Sequence, residues 1–101
     1  MASEVMTRDH PDWNKFVELL KTELTKDEPR YKDMPTMWHT FCDGKWTGAL
    51  TVLMRHFPKA SVPETIGYFR ATGGFCDCEV LTNCAMTPDE RWQAFNEGTR
   101  A

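Results

Sequence analysis

Residues 73–84 contain three of the chain's four cysteines, together with two adjacent glycines and two carboxylates. They read Gly-Gly-Phe-Cys-Asp-Cys-Glu-Val-Leu-Thr-Asn-Cys. Thiolates bind soft metal ions and act as nucleophiles, whereas buried neutral thiols pack as small apolar groups. The stretch therefore predicts a metal site, a reactive thiol or a set of packed thiols, and composition alone does not choose among them.

The tripeptide Phe-Cys-Asp occurs twice, at residues 41–43 and 75–77, and each copy precedes a run that can begin a helix. If both aspartates cap helix N-termini, both cysteines lie just outside those termini. The helix macrodipole there favours the thiolate, which is the form that binds metals. We therefore expect Cys42, Cys76 and Cys78 to converge.

A tetrahedral zinc site requires a fourth ligand. His39 lies three residues before Cys42, which is a workable spacing on a turn. Cys84 is the other candidate, but if the chain between Cys78 and Cys84 is helical, their Cα atoms are about 9 Å apart, too far for one compact site. An extended segment would weaken this objection, and the pattern of residues 76–84 fits both a short helix, which we favour, and a strand. Cys84 is therefore expected in the core. The predicted metal ligands are Cys42, Cys76, Cys78 and His39, with zinc as the predicted cofactor.

An alternative is a thiol-dependent redox switch or enzyme that uses Cys76 or Cys78, with Asp77, Glu79 or His39 nearby. Against it, Asp77 has a simpler interpretation as a helix N-cap, and Glu79 as a first-turn carboxylate that interacts with the helix dipole. No catalytic residue is assigned, and the prediction leans against an enzyme.

The surrounding elements predict a mainly α fold, a single small domain over residues 1–101 built as a bundle of four to five short helices with a Cys-rich corner. Residues 1–9 are predicted to be a frayed arm. The first helix is expected over residues 11–26 because apolar residues recur there at helical spacing. They are Trp13, Phe16, Val17, Leu20 and Leu24. Residues 27–40 are predicted to be an irregular connection rich in large apolar side chains, which is either a lid on the core, the favoured interpretation, or a binding surface.

Capping signals place the remaining helices. Asp43 is the predicted N-cap of a second helix. The core-facing stripe of this helix is predicted to consist of Trp46, Ala49, Leu50, Leu53, Met54 and Phe57. A capping box at residues 61–64 begins a third helix that ends at the two glycines, with Phe75 packing behind them. A second box at residues 87–90 begins a last helix, expected over residues 88–96.

Composition limits the function. The chain has 101 residues and a net charge of −3, which argues against a nucleic-acid partner because phosphate binding requires a basic face. No apolar run approaches a membrane span, and the N-terminus lacks the apolar region of a signal peptide. We therefore expect a cytoplasmic protein with reduced thiols, whose partner is another protein and whose oligomeric state is unknown. The predicted function is a non-enzymatic, zinc-stabilised protein-interaction module.

The run Gly-Gly-Phe-Cys-Asp-Cys-Glu-Val-Leu at residues 73–81, followed by Asn83, resembles the signature of a small bacterial family of uncharacterised proteins, the domain-of-unknown-function family numbered 2695. The Cys-Asp pair at residues 42–43 and the helix at residues 50–57 are also similar, so the resemblance covers residues 42–83. It implies a bacterial protein and no established activity.

Two positions depart from the family pattern. A histidine usually follows the upstream Cys-Asp pair, where this chain has Gly44, and a valine usually follows the asparagine, where it has Cys84. If the family's histidine is a metal ligand, His39 or Cys84 must replace it in this chain.

Overall fold

The computed structural model describes residues 4–87, 89–90 and 92–93, and within them the fold is mainly α-helical, as predicted. The α-helices are α1 (Trp13–Leu24), α2 (Trp38–Phe41), α3 (Thr47–His56), α4 (Val62–Ala71) and α5 (Asp77–Glu79). One π-helical turn (Val80–Cys84) continues α5, and 3₁₀ turns occupy Pro29–Tyr31 and Pro35–Met37. No helix of the described residues has both the length and the apolar character needed to cross a membrane.

The core lies between α1, α3, α4 and the π-helical turn. Phe16 and Leu20 of α1 are fully buried, and the Phe16 ring stacks on Phe69 of α4 with centroids 5.9 Å apart. The apolar stripe predicted for α1 is therefore confirmed on its buried face. On α3 the buried face is rotated from the prediction, because Val52 is buried whereas Met54 is 72% exposed.

The N-terminal segment belongs to the fold, so the prediction of a frayed arm over residues 1–9 is wrong where the chain is described. Glu4 accepts a hydrogen bond from the Ser61 N–H, in an isolated parallel bridge beside the start of α4. Met6 is fully buried, and its N–H donates to Thr65 Oγ1 at 3.1 Å. A single buried methionine in a polar segment has no periodicity, which is why the sequence pattern did not reveal it.

Residues 27–40 cover the core, as predicted, through Trp38. This side chain is 1% exposed, and its Nε1 donates to the Lys32 carbonyl at 3.0 Å. Two prolines begin the two 3₁₀ turns, and the chain then forms α2, a short helix that the sequence did not predict.

The capping signals have mixed outcomes. At residues 87–90, Thr87 Oγ1 accepts from the Glu90 N–H while the Glu90 carboxylate accepts from the Thr87 N–H, each at 3.1 Å, so that capping box is confirmed. Asp89, Glu90, Trp92 and Gln93 are helical, and the other residues of the predicted last helix lie outside the described part of the chain. Ser61 precedes α4 but makes no side-chain cap hydrogen bond, so the first box is not formed.

The C-terminus of α4 ends at the two glycines, as predicted. Gly73 has a φ of 88°, in the left-handed region that favours glycine. Gly74 N–H donates to the Phe69 carbonyl at 2.7 Å and Gly73 N–H to the Arg70 carbonyl at 3.3 Å, which together form a Schellman motif. Phe75, expected to pack behind the glycines, is 56% exposed.

Candidate metal centre

Three cysteine sulfurs converge at the corner between α2 and α5. The Sγ atoms of Cys42, Cys76 and Cys78 all lie within 4.8 Å of one another, and those of Cys76 and Cys78 are 3.5 Å apart. All three residues are free cysteines. The convergence predicted from the repeated tripeptide is therefore confirmed, although the cysteines come from segments more than thirty positions apart.

Hydrogen bonds hold the two cysteine-bearing segments against each other. Asp77 N–H donates to the Lys45 carbonyl at 2.9 Å, three residues after the first cysteine of the cluster. Trp46 Nε1 donates to the Gly74 carbonyl, also at 2.9 Å, two residues before the second. The segment after Cys42 and the segment around Cys76 are thus linked by two hydrogen bonds.

The Asp77 carboxylate caps α3, which is a different helix from the one predicted. One oxygen accepts from the Gly48 N–H at 2.7 Å and the other from the Ala49 N–H at 3.0 Å, while the side chain makes no cap bond within α5. Asp43 is also not the N-cap, which is Trp46. The Asp43 carboxylate instead binds the Lys45 N–H and the Thr47 hydroxyl. The capping carboxylate of α3 therefore comes from a residue that lies 29 positions after Gly48 and 28 positions after Ala49.

Burial and hydrogen bonding act in opposite directions on the pKa of Asp77. The residue is only 3% exposed, and burial raises the pKa of its carboxyl, while the hydrogen bonds from Ala49 and Gly48 act in the opposite direction. Close approach requires glycine at position 48, because a Cβ there would lie 2.8 Å from the nearer Asp77 oxygen. The signal was available in the sequence as a glycine in the first turn of a helix, but its meaning depended on a distant partner.

The two glycines let α4 approach the π-helical turn. A Cβ on Gly74 would lie 2.6 Å from Cys84 Sγ and 3.2 Å from the Val80 Cα. Asn83 Nδ2 donates to the Gly73 carbonyl at 2.8 Å. The Gly-Gly pair and the asparagine of the motif therefore serve a helix junction, and the cysteine cluster lies beside it.

Cys84 belongs to that junction rather than to the sulfur cluster. It is 2% exposed, its Sγ lies 2.9 Å from Thr72 Oγ1, and burial raises the pKa of its thiol. The predicted core position of Cys84 is confirmed. The segment from Cys76 to Cys84, for which helix and strand were both open, is helical.

His39 and Glu79 occupy different positions relative to the cluster. His39 is exposed on α2 and is not among the groups that lie within 4.8 Å of one another at this site. The Glu79 carboxylate lies 3.5 Å from Cys76 Sγ, which is the distance of a weak thiol hydrogen bond. The sequence offered Glu79 only as a dipole partner or a neighbour of a reactive thiol.

The three cysteines do not all lie beside helix N-termini, contrary to the prediction. Cys42 follows the C-terminal end of α2. Cys76 precedes α5, but that helix has only three residues. Burial raises the pKa of the Cys76 and Cys78 thiols, so both are neutral near pH 7 when no metal is bound.

Three thiol donors can hold a metal ion in this arrangement. Tetrahedral bonds of about 2.3 Å to sulfur separate neighbouring sulfurs by roughly 3.8 Å. The 3.5 Å between the sulfurs of Cys76 and Cys78 is close to that value. No two of the three sulfurs are more than 4.8 Å apart, so each sulfur–sulfur distance has to shorten by at most about 1 Å to reach it. The donor set is soft and suits zinc or another thiophilic ion better than magnesium or calcium.

A shallow cavity of about 180 Å³ lies next to the corner, on the side of Asp77 and α1. Acidic side chains dominate its polar lining, and they are Glu23, Asp27, Asp43 and Asp77. Neither a cysteine nor a histidine contributes to this lining. The cavity therefore does not combine with the sulfur cluster into an arrangement of nucleophile and base.

No family model, curated protein or solved structure matches this chain.

Proposed function

We propose that this chain is a non-enzymatic protein-interaction module whose Cys-rich corner is stabilised by zinc. The convergence of Cys42, Cys76 and Cys78 within 4.8 Å carries the proposal. Ion binding joins the segment after α2 to the segment after α4, two parts of the chain that the fold otherwise links through a few hydrogen bonds. A structural zinc site contributes binding free energy directly to folding.

Several observations favour a structural role over a catalytic one. The carboxylate between Cys76 and Cys78, that of Asp77, accepts hydrogen bonds from two backbone N–H groups and is buried. Burial raises the pKa of the Cys76 and Cys78 thiols, which disfavours the alternative of a thiol-dependent enzyme or redox switch. The proposal includes a cytoplasmic location, where free thiols stay reduced, and membership of the small bacterial family numbered 2695 that residues 73–83 resemble.

Phe75 is the proposed contact with a partner protein. It directly precedes Cys76 and is 56% exposed, so a large apolar ring stands in solvent beside the metal site. Aromatic side chains are common anchors of protein interfaces. Because zinc fixes the adjacent cysteine, metal binding would also fix the backbone that presents this ring.

Metal analysis tests the zinc site. Protein expressed and purified without added metal should contain about one zinc per chain, and a chelator should lower its melting temperature. Cys42→Ser should abolish both effects, whereas Cys84→Ser should retain the metal, because Cys84 lies at the α4 junction. Less than about one tenth of an equivalent of zinc, with no thermal shift on chelation, would refute the proposal.

Photocrosslinking tests the interaction surface. A benzophenone amino acid at position 75 should give a discrete adduct with another protein in cells, and the adduct should be lost in the Cys42→Ser background. The same group at position 54, where Met54 is 72% exposed on α3, is the matched control. Equal labelling at both positions would remove Phe75 as the contact.

Alkylation kinetics test the alternative. The rate of iodoacetamide reaction at Cys76 and Cys78 in metal-free protein should rise only above the pH of an ordinary thiol, near 8.5. Rapid reaction at pH 6 to 7 at either residue would instead identify an activated thiol and support the enzyme or redox switch.

A further inference from the structure

We propose that Glu79 provides the fourth ligand of the metal centre, so that the ion is bound by three thiolates and one carboxylate. The inference rests on the proposed zinc site and names a ligand that the cysteine pattern does not contain. Zinc accepts carboxylate oxygen at about 2.0–2.2 Å, alongside sulfur at about 2.3 Å.

The contact between Glu79 and Cys76 has the separation that a shared zinc ion requires. At a tetrahedral angle, these bond lengths place a ligating oxygen and a ligating sulfur about 3.5 Å apart. Glu79 Oε1 lies 3.5 Å from Cys76 Sγ, and Cys78 Sγ lies 3.5 Å from the same sulfur. Cys76 is therefore flanked at ligand-to-ligand distances by both an oxygen and a sulfur.

Local geometry explains this placement. Cys76 is the N-cap of α5 and Glu79, three positions later, is its last residue, and one turn of chain brings the Glu79 carboxylate to 3.5 Å from the Cys76 sulfur. The Glu79 carboxylate lies outside the group of sulfurs that are within 4.8 Å of one another. As the fourth ligand, the Glu79 carboxylate would have to turn toward the sulfurs of Cys42 and Cys78 when the ion binds.

The other two candidates are placed less favourably. Cys84 Sγ is directed to Thr72 Oγ1 and to the Phe69 carbonyl at the α4 junction, and the residue is 2% exposed. His39 is exposed on α2, and no contact joins it to the three sulfurs. Among the described residues, Glu79 is thus the carboxylate or imidazole side chain with a direct contact to the cluster.

Zinc affinity of matched variants tests the assignment, using the full chain and competition against a chromophoric chelator. Glu79→Gln should weaken zinc binding at least tenfold, because an amide oxygen is a poor zinc ligand, while Glu79→His should restore most of the affinity. His39→Ala should bind zinc as the unaltered chain does. Circular dichroism of each metal-free variant establishes whether the loss of affinity follows from unfolding.

Cobalt substitution provides a second readout. In the unaltered chain, Co²⁺ should give the visible spectrum of a tetrahedral site with three sulfur ligands, and Glu79→Gln should alter the ligand-field bands while keeping the thiolate charge-transfer band. A weakened site in His39→Ala with an unaltered Glu79→Gln would overturn the assignment to Glu79. Absence of zinc binding in the unaltered chain would instead overturn the proposed function itself.

Discussion

At the residue scale, Asp77 connects the Cys-rich corner to the core. Its backbone N–H donates to the Lys45 carbonyl, and its two carboxylate oxygens accept from the N–H groups of Gly48 and Ala49 in the first turn of α3. The N-terminal N–H groups of a helix lack partners within the helix, and a buried carboxylate that accepts two of them makes strong charge-assisted bonds. The residue between Cys76 and Cys78 therefore orients both cysteines through its own fixed position.

We predict that Asp77→Ala lowers the free energy of unfolding by about 3 kcal/mol, since it leaves two buried N–H groups of α3 without an acceptor. Urea denaturation followed by tryptophan fluorescence measures the change. Asp43→Ala is the matched control, because the Asp43 carboxylate is exposed and binds only Lys45 and Thr47 nearby, so its loss should be smaller. Equal effects of the two substitutions would contradict the remote capping role.

At the element scale, the junction of α4 with the π-helical turn fixes where the second cysteine segment begins. Gly73 and Gly74 end α4, and the Asn83 amide binds the Gly73 carbonyl from the π-helical turn. Trp46, before α3, binds the Gly74 carbonyl from the other side. Three elements thus meet at one short glycine-containing turn, and the cysteines follow it directly.

We predict that Gly74→Ala destabilises the fold by about 1–3 kcal/mol, because the added methyl group overlaps Cys84 Sγ and approaches the Val80 backbone. Gly67→Ala is the control in α4, where nothing lies within 4 Å of the added Cβ. That change should stabilise the chain by up to about 1 kcal/mol, since alanine favours helix over glycine. Calorimetric melting of both variants gives the signs, and a neutral Gly74→Ala would contradict the close approach.

Sequence periodicity predicted the elements whose signals are local. The stripe of α1, the glycine ending of α4 and the Thr87–Glu90 capping box involve residues within about one to three turns of each other, so spacing alone specified them. Asp77 was misassigned because a helix cap can come from anywhere in the chain, and its true partners are 28 and 29 positions away. The convergence of the three sulfurs was predicted correctly, but for the wrong reason. The prediction placed both Cys42 and Cys76 before helix N-termini, whereas Cys42 follows the end of α2.

At the scale of the whole molecule, the N-terminal segment closes the core at α4. Met6 is fully buried beside Thr65, while Glu4 bridges the start of the helix and His10 Nε2 lies 3.6 Å from the Glu4 carboxylate. Such a segment has too few apolar residues to show a pattern. Its place in the fold depends on the cavity that the helices leave, which no local signal describes.

We predict that Met6→Ala lowers the free energy of unfolding by about 2–5 kcal/mol, the usual cost of emptying a buried methionine site. Met54→Ala, at a side chain that is 72% exposed, should change it by less than about 0.5 kcal/mol. Chemical denaturation of the two variants makes the comparison with the same residue type. Similarly small changes in the free energy of unfolding of both variants would instead support a frayed N-terminal segment.

Zinc should couple the two halves of the corner more strongly than it stabilises the rest of the molecule. The Asp77 N–H donates to Lys45 and the Gly48 N–H donates to Asp77, so both bonds link the two segments that carry the cysteines. The Ser61 N–H instead donates to Glu4, in the bridge between the N-terminal segment and the start of α4. Because a ligand bound only by the closed form lowers the population of the open form, zinc should slow hydrogen exchange at Asp77 and Gly48 at least tenfold. Exchange at Ser61 should change much less.

Mass spectrometry or NMR with and without a chelator measures these rates, with Cys42→Ser as the variant in which the difference disappears. Equal slowing at Ser61 would show that the ion acts on global stability and not on the corner.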